Sequence, residues 1–265
     1  MVHDRLRIAM WSGPRTRSTA LMRAWENRGD TTVVDEPLYA YYLAHTDVTD
    51  PGRDEVIAAY STDWRQVANE LTGGTLPEGS TIHYQKHLAQ HLLPEVDRTA
   101  FEGLRHAFLV RHPAQMLASY AKVQAPTVEE LGLRQQLELF ERFGGPVIDS
   151  NDLVSAPSSV LQGLCAALDV PFTDRMLSWP AGRRATDGIW GSHWYHGVWQ
   201  STGFAAGQSR TDPLPDHLRR VLDECMPLYE ELARYVLPVL PADTGDTGPA
   251  APPAPEVASK GSKTV

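Results

Sequence analysis

The chain has 265 residues, 42% of them hydrophobic and 22% charged, which suits a folded body with a substantial core. That excludes a wholly disordered chain, a collagen-like repeat and a disulfide-stapled miniprotein. Lys and Arg total 24 against 33 Asp and Glu, a formal charge of -9, so general affinity for nucleic acid or an anionic membrane is not expected and any bound anion needs a local pocket.

Arg7 to Trp11 is a short, mostly apolar run stopped by Ser12-Gly13-Pro14, as a buried strand would be. From Ser18 onward Leu21, Met22 and Trp25 recur at helical spacing, and Asn27 to Gly29 ends that helix. Thr32 to Asp35 predicts a second strand, which completes the strand, turn, helix, strand order of a parallel α/β sheet. A helix over Glu55 to Leu71 is expected between turns at Asp50-Pro51-Gly52 and Gly73-Gly74, then strands over Thr81 to Gln85 and Arg105 to Val110. Arg111-His112-Pro113 breaks the last of these and opens a helix over roughly residues 114–122. Thr127 and Glu130 have capping-box spacing, ahead of an amphipathic helix that runs to Gly144-Gly145-Pro146. Val147 to Asp149 predicts a strand, Ser158 to Leu168 a helix, and Asp216 to about Val236 a final helix bent near Pro227.

Residues 241–265 are rich in Pro, Ala, Gly, Asp, Ser and Thr and cannot offset their ordering entropy by burial. The expected organisation is one α/β domain over residues 1–240, a central mostly parallel sheet flanked by helices, and a disordered tail over 241–265. Cys165 and Cys225 lack metal or redox spacing and are expected to be buried thiols. No apolar run approaches the roughly 18 residues of a membrane span and Met1 to Trp11 lacks a secretory stretch, so a cytoplasmic protein away from the membrane is expected.

Two turns carry chemistry. Ser12 to Thr19 follows a strand and opens a helix, so its backbone amides can converge at the positive end of the helix dipole. Arg15 and Arg17 add charge there, and the hydroxyls of Thr16, Ser18 and Thr19 can donate to phosphate oxygens. No lysine follows Gly13 at the spacing of an ATP-type loop. The second turn, Arg111-His112-Pro113 with Ser119 beyond it, puts a guanidinium and a hydroxyl where a second phosphate could sit. Two anion sites on one sheet suggest a ligand with two separated phosphates.

Those residues carry a resemblance. Ser12 to Thr19 resembles the loop that holds the 5'-phosphosulfate in sulfotransferases using 3'-phosphoadenosine 5'-phosphosulfate (PAPS), and Arg111 with Ser119 is similar to that family's 3'-phosphate site. Asp35-Glu36-Pro37-Leu38 resembles the Glu-Pro motif of carbohydrate sulfotransferases, and Gln85-Lys86-His87-Leu88 the Lys-x-His-Leu segment of cytosolic ones. The loop departs from many relatives in having Arg15 for Lys and Arg17 for Gly. Arg183 and Arg184, beside Gly182, stand nearest to the family's Arg-Lys-Gly segment.

The resemblance implies a P-loop-like sulfotransferase fold binding PAPS and its product PAP through Gly13, Pro14, Arg15, Thr16, Arg17, Ser18, Thr19, Arg111, Ser119, Arg183 and Arg184. It also implies in-line transfer of a sulfuryl group to a small-molecule hydroxyl, with no metal required. Arg15 would stabilise the departing phosphate, Glu36 or His87 would be the base, and Lys86 would contact the sulfuryl group or be an exposed structural lysine. Tyr39 and Tyr42, just after Glu36, and Trp190 and Trp194, in a glycine-interleaved aromatic segment, could line the acceptor pocket or pack the core. His83, His87 and His91 recur every four residues, but in a segment read as extended, so no metal site is expected. Three alternatives stay open: a related enzyme that sulfates a hydroxyl only to eliminate it, an ATP-dependent kinase, and a nucleotide-binding protein without catalysis.

Overall fold

The computed structural model describes residues 5–120, 126–205 and 214–239, so the expected tail over 241–265 lies outside the described residues. Five parallel strands form one sheet in the order β2-β3-β1-β4-β5. β1 (Leu6–Ser12) is central, and its side chains alternate between two apolar layers. Ile8 and Met10 join the layer of α1 (Ser18–Glu26), while Ala9 and Trp11 join the opposite one. β2 (Thr31–Asp35) is an edge strand and leads into α2 (Tyr39–Ala44), a short helix that the sequence did not reveal.

The single helix expected over Glu55 to Leu71 is two, α3 (Arg53–Ala59) and α4 (Trp64–Gly73). Tyr60 is extended, and the Asp63 carboxylate accepts from the Arg65 amide at 2.9 Å, so the chain stops and restarts at a new cap. β3 (Ile82–Leu88) runs three residues beyond the expected Gln85, because its backbone keeps pairing with β1 as far as Ser12 and Leu88. That extension puts Lys86 and His87 on a strand, hence on opposite faces of the sheet.

β4 (Arg105–Val110) and α5 (Pro113–Tyr120) fall where expected, and the expected continuation to residue 122 lies outside the described residues. The helix expected from Thr127 to Gly144 is interrupted. Its capping box is formed, but Gly132 at φ 68° separates α6 (Val128–Leu131) from α7 (Leu133–Phe143). Beyond β5 (Val147–Asp149), the Asp149 carboxylate caps α8 (Ser150–Ser155), which was not anticipated, and α9 (Pro157–Ala167) follows. Two single-turn helices, α10 (Gly191–Trp194) and α11 (His196–Trp199), lie in the aromatic segment. α12 (Asp216–Ala233) carries Pro227 in its interior and packs against α5 and α7. After it, Val236 bridges Val147 and the Leu237 amide donates to the Val147 carbonyl at 2.8 Å, adding a short parallel rung beside β5.

Cys165 and Cys225 are free and buried, and burial pushes both thiols up to about 11. Among the described residues no helix is long and apolar enough to cross a membrane.

The connection from β1 goes to one side of the sheet and that from β4 goes to the other, so the carboxyl ends of β1 and β4 flank the point where the order reverses. The turn after β1 is wedged there. A Cβ on Gly13 would lie 2.5 Å from the Leu131 carbonyl oxygen and 2.6 Å from Met116 Cε, so only glycine lets the loop pass between α5 and α6. Gly13→Ala is expected to destabilise by about 1–3 kcal/mol in urea denaturation, whereas Gly103→Ala should stay within about 0.5 kcal/mol. Gly103 is the matched control because nothing lies within 4 Å of its added Cβ.

Candidate active site

The turn between β1 and α1 is wound by two non-glycine residues in the left-handed region, Arg15 at φ 62° and Arg17 at φ 68°. Arg17 is the N-cap residue of α1 and its side chain does not cap the first amides of the helix. Thr16 is turned inward. Its hydroxyl donates to the Gly13 carbonyl at 2.8 Å, and its own carbonyl accepts from the Ser150 hydroxyl at 2.9 Å. Thr16 therefore braces the loop rather than facing a phosphate, and Gly13 acts through its backbone alone.

The second turn meets the first. Arg111 donates to the Arg15 carbonyl at 2.5 Å, and the Arg15 guanidinium donates to the Ser119 hydroxyl at 3.1 Å. The two anion sites expected from the sequence are thus neighbours at one mouth, with Arg15, Arg17 and Arg111 gathered around it. Among the described residues none of the three forms an ion pair. Burial lowers the pKa of each, and for Arg111 the nearby Arg17 and Arg15 help bring it down to about 10. Asp149 acts on Arg17 and Arg111 from beyond ion-pair distance, and the three clustered cations still make an electropositive wall that an anion would relieve.

That wall is one side of a cleft of about 410 Å³. Pro14, Arg15, Arg17, Ser18 and Thr19 line it from the first turn, and Arg111 and Ser119 from the second. Glu36, Tyr39, Tyr42, Lys86, Trp194 and Tyr195 form much of the remainder. Glu36 follows β2 at φ 40°, held there because its amide continues the sheet by donating to the Lys86 carbonyl at 2.9 Å.

Lys86 is 1% exposed, not the surface lysine that was one expectation. Its ammonium donates to Asp35 Oδ1 at 2.8 Å, Glu36 Oε1 at 2.5 Å and Tyr195 Oη at 2.8 Å. An ammonium has three N–H bonds, and all three are committed here, so Lys86 positions the carboxylates rather than reaching for a substrate. The Tyr195 hydroxyl in turn donates to Asp35 Oδ2 at 2.7 Å and accepts from Trp190 Nε1 at 3.1 Å. Burial raises the Glu36 pKa against the pull of Lys86, with Asp35 adding to the rise. Burial alone would lower Lys86, but Asp35 and Glu36 outweigh it and hold the ammonium above its usual range.

Three expectations are corrected. His87 faces the other side of the sheet, where its ring stacks on Trp11 at 4.2 Å, its Nε2 meets Gln85 Oε1 at 3.2 Å, and burial drives its pKa down to about 3. Arg183 lies over the Trp199 ring at 4.2 Å and Arg184 donates to the Pro180 carbonyl at 3.2 Å; neither lines the cleft. Trp190 is 2% exposed and packs edge-on against Tyr39, supporting the wall from behind. The histidines also do not converge: His83 contacts Arg7, while His91 lies against the rings of Tyr39 and Tyr42. Among the described residues no group of three metal-ligating side chains is found.

Asp35, Asp50, Gln90, His91 and Tyr195 were missed as site residues. Asp35 follows from β-strand register, since it stands opposite Lys86, but Tyr195 comes from 109 residues beyond Lys86 and no local pattern announces it. The segment carrying Tyr195 is itself pinned. Asp187 accepts from the buried Arg23 of α1, from the Arg184 amide at 2.9 Å and from Trp199 Nε1 at 2.9 Å.

Lys86→Met leaves Asp35 and Glu36 buried without their cation and is expected to cost about 3–5 kcal/mol at neutral pH. Glu36, already raised from 4.5, would then bind its proton still more tightly in the folded chain. The deficit should therefore be smallest below the ordinary carboxylate range and grow as the pH rises through the raised value. Melting temperatures of both proteins at pH 5 and pH 8 check this.

Comparison with known proteins gives the family and the fold. The sulfotransferase-domain family model matches residues 6–235. Branched-chain-amino-acid aminotransferase-like proteins 1 and 2 of Arabidopsis thaliana are 36% and 35% identical over 86% and 85% of this chain. The chain spans less than half of these relatives, 42% and 41% of their lengths. Among solved structures, the sulfotransferase domain of the Synechococcus PCC 7002 olefin synthase shares the fold with a TM-score of 0.56 at 19% identity, over 90% of this chain and 98% of that one. A sulfotransferase from Alicyclobacillus acidocaldarius does so with a TM-score of 0.52 at 13% identity, over 87% and 95%. Because the matched span takes in the whole sheet, both arginine-bearing turns and the buried lysine network, the chain belongs to the sulfotransferase-domain family.

Proposed function

We propose that this protein is a sulfotransferase that takes its sulfuryl group from PAPS and passes it in line to a hydroxyl of a small molecule, with Glu36 as general base. The observation that carries the reading is one cleft with three guanidiniums on one wall and a buried carboxylate on the other. The donor set suits a phosphate-bearing nucleotide: clustered arginines that form no ion pair among the described residues, helix amides that Arg17 does not cap, and the hydroxyls of Ser18, Thr19 and Ser119 at the cleft. When bound, the donor supplies the sulfuryl group, whose bond to the phosphate oxygen breaks as the acceptor oxygen takes it.

The residues divide the work by charge. Arg111 and Ser119 suit the 3'-phosphate; Ser119 accepts from Arg15 and keeps its own hydrogen to donate. Arg15, Arg17 and the α1 amides suit the 5' side, where Arg15 stays cationic and steadies the growing negative charge without giving up a proton. Glu36 receives the acceptor's hydroxyl proton. Lys86 and Tyr195 both contact its Oε1, which leaves Oε2 for the acceptor, and burial makes it a stronger base than a solvated glutamate.

Calorimetric titration is expected to give micromolar binding of PAP, about -8 kcal/mol, and clearly weaker binding of AMP. Arg111→Ala should weaken PAP by on the order of 10- to 100-fold, since an arginine-phosphate contact is charge-assisted. Equal affinity for PAP and AMP would remove the two-phosphate reading. Glu36→Gln should keep PAP binding and lower kcat by on the order of 100- to 10,000-fold. With Glu36 as base, the rate rises with pH as its proton leaves, so the acid limb should lie above 4.5 in the native enzyme and vanish in Glu36→Gln.

A further inference from the structure

Apart from the arginines, the cleft carries a second cluster of side chains suited to a positive charge. Glu36, Asp50 and Glu130 belong to it, and the cleft's Lys86 is already consumed by Asp35 and Glu36. Among the described residues neither Asp50 nor Glu130 forms an ion pair. Asp50 accepts the Tyr39 hydroxyl on Oδ2 at 2.7 Å, while its Oδ1 is buried without a hydrogen-bond partner among the described residues. Burial raises the Asp50 pKa against the hydrogen bond from Tyr39, and the nearby Glu130 charge adds to the rise.

Two further groups in this cluster lack partners. Gln90 is 7% exposed and His91 2% exposed; both line the cleft, and Gln90 Oε1 and His91 Nδ1 are buried without a hydrogen bond among the described residues. Burial keeps His91 neutral, so its free ring nitrogen can accept a hydrogen bond. The His91 ring stacks on Tyr39 at 4.9 Å and lies tilted against Tyr42 at 4.8 Å, so three aromatic rings cluster beside the carboxylates. Buried acceptors in want of donors, negative charge and aromatic rings together match an ammonium group.

We propose that the acceptor is a hydroxyl-bearing amine whose ammonium is held by Asp50, with Glu130 beside it, in the part of the cleft walled by Tyr39, Tyr42 and His91, while its hydroxyl reaches Glu36. The inference rests on the sulfuryl-transfer reading for the role of the hydroxyl, but the ammonium site stands on its own contacts. It also fits the polarity of the cleft. The product would carry a sulfate toward the arginines and an ammonium toward Asp50, so each charge lies against its opposite.

The test is calorimetric binding of a matched pair, 5-aminopentan-1-ol and pentane-1,5-diol, to the full chain with and without PAP. The amine is expected to bind at least roughly tenfold more tightly than the diol, as a charged hydrogen bond to a carboxylate allows. Asp50→Asn, which keeps an acceptor for Tyr39, should reduce that preference to about threefold or less. Glu130→Gln, which preserves the capping box, should reduce it in part. An amine preference lost in Asp50→Asn supports the ammonium site, and if PAP fails to bind in the same samples it is the transfer reading that falls. PAP binding with equal affinity for amine and diol, or an amine preference unchanged in Asp50→Asn, overturns the inference and leaves the transfer reading in place.

Discussion

A charged lysine cannot be removed from water unless every N–H finds an acceptor, and Lys86 meets that demand with three groups from two distant parts of the chain. Asp35 comes from the end of β2, Glu36 from the residue after it, and Tyr195 from between α10 and α11. The requirement dictates local geometry. β2 must pair with β3 in the register that sets Asp35 opposite Lys86, and Glu36 must take up a left-handed backbone that no glycine relieves. It also draws the Gly188 amide onto Asp35 at 3.3 Å and so brings the aromatic segment over the cleft. One buried cation thereby sets the position of Glu36, the cleft wall that carries Tyr195 and a sheet edge.

The strands and the two strand-to-helix turns were legible because each obeys a local rule: an apolar run, a proline or glycine stop, a cap three residues before its partner. β1, β4, β5 and α1 all lie within a residue or two of where those rules put them. The breaks at Tyr60 and Gly132 were harder to see, since helical periodicity continues across both while the backbone does not. The site was legible on its anion side for the same reason, as Arg15, Arg17 and Arg111 sit at turns. Its other side was not. The choice between Glu36 and His87 turned on how far β3 extends: three added residues place Lys86 toward the cleft and His87 against Trp11. Arg183 and Arg184 were singled out by their closeness to Gly182, but cation–π contact with Trp199 and the Pro180 carbonyl hold them elsewhere.

The cleft divides the charge of an acidic protein unevenly. A chain of formal charge -9 concentrates three arginines within one mouth, where no carboxylate pairs with them among the described residues. Acidic residues elsewhere repel free anions at long range, so an anion bound at this mouth would depend on short-range, hydrogen-bonded recognition by amides and forked guanidiniums. Arginine in place of lysine on the loop suits that task. It keeps its charge when half-buried and presents planar donors to more than one oxygen.

The rung that Val236 and Leu237 add beside β5 has a meaning beyond the pairing itself. β5 has only three residues and lies at the margin of an otherwise buried parallel sheet, where its outward amides and carbonyls would be a template for another chain. The segment after α12 occupies part of that margin, so Val236 and Leu237 cover backbone groups that would otherwise be open to edge-to-edge association. The covering is made by residues that do not line the cleft, so the sheet margin and the cleft are held by separate parts of the chain.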